Sequence, residues 1–239
     1  KEQTAAAELA NDPPHFVTLP AYEASLQGGA GGDVNAYMRR FPGMFIDEFE
    51  SGNAKTLADK LAAVLGEGNV FVVPHHTTRT GKHGEISEAI YPGPELMPVV
   101  EIHSKWGTSE SRGNPTPLQK IHPGPSYATD LLGQGLPLGF VGGTDSHATL
   151  TFAQGAEVEP PHLDRPPGLT AVWAAALRRD SVFDAIRRRA CYAAAGKRIY
   201  LDAAVSGLEM GTIARWPRAA EPREIRITAA APSRILAVE

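Results

Sequence analysis

The segment Gly142-Gly143-Thr144-Asp145-Ser146-His147 sets a carboxylate and an imidazole two residues apart. In extended backbone such residues point to the same side, so Asp145 and His147 can aim at one point. A hard carboxylate beside an imidazole is a donor pair for zinc, manganese or iron. The two glycines ahead of them let backbone or ligand approach closely. Pro74-His75-His76 offers two more imidazoles. Neighbours on a strand face opposite ways, so one histidine is read as a ligand and the other as its support, with His75 the ligand and His76 the support. Glu23 ends an apolar stretch, where a carboxylate can bridge two metal ions or act as a base. Glu101 and His103, again two apart, can ligate, hydrogen-bond to ligands, or serve as plain structural polar groups. Arg79, Lys105 and Arg112 follow in loops and can pair with an anionic substrate. Asp33 and Asn35, in a Gly-rich stretch, are open to either reading. Each residue has a bland competitor: Asp145 as a turn acceptor beside a surface histidine, two histidines in a polar turn, Glu23 at a helix start, and loop cations that are simply hydrated.

Four short apolar runs lead into these groups. Phe16–Leu19 precedes Tyr22-Glu23, Val70–Val73 precedes Pro74-His75-His76, Val99-Val100 precedes Glu101-Ile102-His103, and Leu138–Val141 precedes the Asp145 segment. Runs this short and bounded read as strands buried on both faces. Strands that all end in titratable groups suggest a barrel with its site at the carboxyl ends. A helix is predicted over 54–65, with Leu57, Leu61 and Leu65 on one face, Asn53 as N-cap and Gly66 as stop. Another is predicted over 181–189, where Ser181 and Asp184 have capping-box spacing. The sequence also reads as a helix over 1–9 and as a strand over 235–239, so both ends look cut. Gly81–Pro98 and Gly107–Gly135 read as long loops over a site or as missing stretches. Beyond Gly196 the texture changes: 198–205 reads as a strand followed by a Ser206-Gly207 turn. The stretch 224–229 alternates with period two, the mark of a half-buried antiparallel strand.

The bulk numbers exclude more than they assign. The 239 residues, 42% apolar, suffice for one large domain with an appendage. A net charge of -4 and a pI near 6.1 give no electrostatic footprint for nucleic acid. Arg187-Arg188-Arg189 reads as the solvated end of a helix. The single cysteine, Cys191, permits no internal disulfide and reads as a small buried hydrophobe. No apolar stretch is long enough for a membrane span. No nucleophile elbow, Walker loop or dinucleotide fingerprint is present.

Taken together, the quoted segments resemble the PHP (polymerase and histidinol phosphatase) superfamily, and within it the branch called domain of unknown function 3604. Gly168–Val172, Arg189–Ala193 and Gly196–Ile199 share the likeness, which spans roughly residues 15 to 211. The resemblance implies a distorted (β/α)7 TIM-like PHP barrel, with its N-terminal part apparently missing, and two or three divalent ions of zinc, manganese or iron. Matched position by position, it makes Glu23, His75, Asp145 and His147 the metal-holding and catalytic residues. Glu101 falls on a strand lining the site. The family's opening His-x-His and Asp-His motifs belong ahead of Glu23, where His15 stands alone; the expectation is that they lie upstream or are lost. His103 stands where Tyr is usual, and Trp106 where His is common.

The reading is a barrel over 1–205 and the start of a small β domain over 206–239. The expected function is that of a metal-dependent phosphoesterase acting through an activated water on a small anionic substrate, with no nucleic-acid or membrane partner. A metal-dependent amidohydrolase and a non-catalytic binding module are the alternatives. A periplasmic or secreted home is expected if a signal segment precedes residue 1, and a cytoplasmic one otherwise.

Overall fold

The computed structural model describes residues 2–26, 32–41, 52–79, 86–118, 126–146, 165–216 and 221–237. After helix α1 (Glu2–Ala10), strands β1 (Ala21–Ser25), β2 (Asp33–Met38) and β3 (Val70–Pro74) form an antiparallel sheet with β2 in the middle. Its pleat separates two chemistries. Register pairs Ala24 with Val34 and Ala36 with Val72, which puts small and branched apolar residues on one face. Helix α2 (Ala54–Leu65) covers that face through Leu57, Ala58 and Leu61. The same register pairs Glu23 with Asn35 and Asn35 with Val73, so the opposite face mixes Glu23, Asn35, Tyr37, Phe71 and Val73.

That second face is floored by an apolar cluster of Phe71, Val73, Val99, Phe183 and Cys191, with Tyr37 stacked on Phe71 at 5.2 Å. Phe183 comes from helix α4 (Arg179–Arg187) and Val99 from strand β4 (Val99–Ser104). Strand β4 lies parallel to β6 (Gly139–Gly142) and is bordered on its other side by the short β5 (Gly107–Thr108). Glu101 has the parity of Val99, so the strand that contributes to the apolar floor also delivers a carboxylate beyond it. Helix α3 (Ala128–Gly133) packs Leu131 into the α2-side core. Strands β7 (Gly168–Val172) and β8 (Cys191–Ala195) form an antiparallel pair around α4, and β9 (Tyr200–Val205) is flanked by β10 (Leu208–Glu209) and β11 (Ile225–Ala230) in a last sheet.

This architecture overturns the expected barrel. A (β/α)7 barrel needs parallel strands closed into one sheet. The described strands instead form four separate sheets, mostly antiparallel, and β4–β6 is their one parallel pair. Short apolar runs report burial but carry no strand direction, which is why the sequence pattern misled. The first run was also misplaced: Phe16 is 58% exposed and outside any strand, while the strand begins at Ala21. Helix α4 starts at Arg179 rather than Ser181, and Asp184 pairs with Arg39 instead of capping. Residues 235–237 form no strand, and β11 is largely exposed rather than half-buried. The expected division at 205/206 falls in the turn between β9 and β10, where Ser206 and Gly207 have φ of 49° and 80°. Helix α2 matches its prediction residue for residue. Asn53 Oδ1 accepts from the Thr56 amide at 3.0 Å, and Thr56 Oγ1 accepts from the Asn53 amide at 2.8 Å.

Candidate metal centre

Where β3 ends, the polar groups of three segments meet. His75 and His76 are both buried, at 3% and 4% exposure. Strand alternation should send them to opposite sides, yet their rings lie 4.3 Å apart. The backbone explains it: His76 has φ of 54°, a left-handed conformation that breaks the alternation and turns its ring to the side of His75. Asp145, which meets His76 Nε2 at 2.8 Å, is also left-handed, with φ of 47°. Two facing residues in a conformation that costs of order 1–3 kcal/mol each must be held there by their surroundings, and such strain gathers at functional sites.

Glu23, from the middle of β1, reaches His75 Nε2 at 3.5 Å, and Glu101, from β4, reaches His75 Nδ1 at 3.8 Å. These are ion-pair distances, too long for aligned hydrogen bonds. Both ring nitrogens of His75 are buried with no hydrogen-bond partner among the described residues. Asp33 opens β2 beside them. Donor atoms of Asp33, His75 and His76 all lie within 4.8 Å of one another, and all three residues are buried. Ligands in a tetrahedral zinc site sit roughly 3.4 Å apart for metal–ligand bonds of about 2.1 Å, so modest closure suffices. Carboxylate and imidazole donors fit zinc, manganese or iron. A histidine whose two nitrogens are desolvated and unsatisfied is costly unless a cation or proton completes it.

The electrostatics form a single unit. Burial alone would depress the His75 imidazolium, but Glu23, Glu101 and Asp145 outweigh it and raise its pKa to about 9. The contact with His75 holds Glu23 below the usual carboxylate range. Burial pushes Glu101 up to about 7, helped by Asp145 and Glu23 and opposed by His75. His76 is pulled down, by burial first and also by its neighbour His75.

Of the expected residues, the fold brings Glu23, His75 and Asp145 together and adds His76, Glu101 and Asp33. His147 lies outside the described residues. His103 is not part of the cluster: its Nε2 is 3.0 Å from the Pro166 carbonyl, and a register shift between Glu101 and His103 ends their same-side relation. Asn35 pairs with Glu23 in the sheet and stands beside the cluster. Lys105 is buried, and its amide donates to the Thr144 carbonyl, tying β4's end to the Asp145 loop. Arg79 stacks on Trp106 at 4.6 Å, and Trp106 in turn meets His76 edge-on at 5.8 Å. Arg112 instead pairs with Asp130 at 3.0 Å and covers Tyr127, a structural role. Sequence reading undervalued Asp33 and cast His76 as a support. Alternation along Asp33-Val34-Asn35-Ala36-Tyr37-Met38 could have revealed the first; no sequence signal marks the φ reversal that recruits the second. Gly143 earns its place sterically, because a Cβ there would collide with the Glu101 carboxylate.

Residues 152–204 match the family model described as protein of unknown function (DUF3604). The chain is also similar to an uncharacterized protein of Chlamydia pneumoniae, 33% identical over 141 residues, covering 56% of this chain and 22% of that protein. Uncharacterized proteins of Chlamydia trachomatis serovar D and Chlamydia muridarum are 35% and 34% identical over 126 residues, each covered over 20% of its length. The chain thus spans about a fifth of the length of these relatives. No solved structure matches. The chain is DUF3604-like over the matched segment, which begins after Asp145 and so leaves the candidate centre outside it.

Proposed function

We propose that this DUF3604-like chain carries the metal-holding core of a metal-dependent hydrolase, acting on a phosphoester of a small anionic substrate. The observation that carries the reading is His75. Its two buried nitrogens have no hydrogen-bond partner among the described residues and sit inside a ring of Glu23, Asp33, Glu101, Asp145 and His76. His75, His76 and Asp33 would hold a divalent zinc, manganese or iron ion, with Asp145 or Glu23 completing the set. Such an ion supplies an acidified water and a positive charge against a phosphoryl oxygen. Glu101, with its pKa raised to about 7, is suited to exchange a proton near neutrality. Arg79, stacked on Trp106 beside His76, is placed to meet an anionic group. The order Glu23, His75, Asp145 along the chain is the order in the PHP likeness, which supports a PHP-type ligand set without its barrel.

The test is metal content by mass spectrometry together with hydrolysis of p-nitrophenyl phosphate. Expected are stoichiometric zinc, manganese or iron and an activity that disappears on chelation and returns with metal. Protein that takes up none of the three, or hydrolysis that survives complete chelation, overturns the reading. A parallel panel of amide substrates separates phosphoester from amide chemistry.

A further inference from the structure

A second cleft lies where the β7–β8 unit meets the last sheet. Its volume is about 490 Å³, within the range of small-molecule sites. Gly168, at the start of β7, donates to Gly143 beside the candidate centre, while Trp173 follows the strand's other end. At roughly 3.3 Å per residue, the two sites are separated by about the length of that strand.

The strand pattern explains the lining. Tyr200 and Asp202 are two apart on β9 and share a face. Glu209 on β10 pairs with Ala204, the next residue of that parity, so its carboxylate joins the same face. Against them stand Trp173, fixed by its amide to the Ala190 carbonyl at 2.8 Å, and Arg188, whose guanidinium donates to the Trp173 carbonyl at 2.9 Å. The Trp173 and Tyr200 rings meet edge to face, 5.4 Å between centroids and 83° between planes. Both stay substantially exposed, at 39% and 47%. No hydrogen bond or ion pair with another described residue engages the side-chain polar atoms of Trp173, Tyr200, Asp202 or Glu209.

This chemistry narrows the ligand. A purely apolar guest would bury two carboxylates, an indole N–H and a phenol without partners, at a desolvation cost for each. An anion would meet Asp202 and Glu209. A cation would use those carboxylates and the aromatic faces but would also meet Arg188. A ring bearing several hydroxyl groups uses everything present. Its C–H face lies on an aromatic ring, its hydroxyls donate to Asp202 and Glu209, and its oxygens accept from Arg188, the Trp173 indole and the Tyr200 hydroxyl. We infer that this cleft is a saccharide-binding site, with Trp173 as the stacking platform and Asp202 and Glu209 as the hydroxyl acceptors. Trp173, Arg188, Tyr200 and Asp202 fall within the segment that matches the DUF3604 family. The inference is independent of the metal reading, since none of these residues touches the centre.

The experiment is saturation-transfer difference NMR on the whole chain with glucose, galactose, N-acetylglucosamine and cellobiose, and with tetramethylammonium chloride and inorganic phosphate as the cation and anion arms. Expected is saturable transfer to ring protons of at least one sugar. Asp202→Asn and Trp173→Ala should each weaken it about tenfold or more, and Trp173→Phe, which keeps an aromatic face, should weaken it less. Asp202 is part-exposed on its strand, so D202N tests the site even if W173A fails to fold. Absence of saturable transfer from all four sugars, saturation by tetramethylammonium or phosphate alone, or sugar binding unchanged in D202N overturns the inference.

Discussion

His76 and Asp145 both hold left-handed backbone, and at His76 that conformation brings the ring beside His75. On the proposed reading a cation would join His76, His75 and Asp33, with Asp145 oriented on the His76 ring at 2.8 Å. Replacing His75 by Ala, or Asp145 by Asn, is therefore expected to lower metal affinity by at least about tenfold, read by calorimetric titration with zinc or manganese. Unchanged affinity in both variants would remove these residues from the centre. Protons give a second handle. With its pKa raised from 6.5 to about 9, His75 is protonated in the metal-free protein at neutral pH. It contributes stability that is complete below about 6.5 and lost as pH rises through about 9. Glu101, raised from 4.5 to about 7, behaves likewise at lower pH, its contribution being lost as pH rises through about 7. Metal held by His75 must displace the His75 proton. Binding at neutral pH should release protons, and affinity should climb with pH until about 9, as titrations in buffers of different ionisation enthalpy would report. Affinity that is flat across that interval contradicts the assignment of His75 as a ligand.

At the scale of elements, α2 shows what makes a helix stand by itself. Its cap is reciprocal and its apolar face meets the β1–β2–β3 sheet through Leu57 and Leu61, which are 0% and 1% exposed. Asn53→Ala should cost about 1 kcal/mol and Leu61→Ala about 2–5 kcal/mol in denaturant unfolding. Metal affinity should move far less with the first, because the cap is on the helix side of the sheet and the centre on the other. These local features were legible in the sequence because capping and helical periodicity are short-range. So were β3, whose run Val70–Val73 is continuously apolar, the start of β4 at Val99, and the burial of Cys191, whose thiol burial pushes to about 12. Strand direction was not legible. Nothing in Val70–Val73 or Val99-Val100 states whether the neighbour runs parallel, and only β6 beside β4 does so. For the site, His75 and Asp145 were readable as donors just past strand ends, while Glu23 was picked out by type but stands in the middle of β1. Recruitment of His76 depends on one backbone angle, and the separation of His103 from Glu101 on one bulge, neither of which residue type encodes.

Across the whole molecule, the centre draws on pieces that the backbone ladders do not join. Glu23, Asp33 and His75 belong to the β1–β2–β3 sheet, Glu101 to the sheet built on β4, and Asp145 to the loop after β6. Between the first two sheets the direct backbone tie is loose, with the Val72 amide bonding the Leu96 carbonyl ahead of β4. The apolar cluster of Phe71, Val73, Val99 and Phe183 holds them together below the site. Above it, four carboxylates face two imidazoles, so the acidic groups outnumber the histidines that pair with them. A bound ion would therefore act as a staple between sheets as well as a reactive centre. Any ligand that binds only the folded state stabilises it by mass action, by about 2.7 kcal/mol at a hundredfold excess over its dissociation constant. For a chain of this size that is a rise of several degrees in the unfolding midpoint. Zinc or manganese should raise the midpoint in calorimetry, chelator should reverse the rise, and His75→Ala should abolish it while Asn53→Ala keeps it. A rise that persists in His75→Ala would mean that metal stabilises the chain elsewhere. No rise at saturating metal would mean that the two sheets are held by their apolar floor alone, with the histidine pair serving them without an ion.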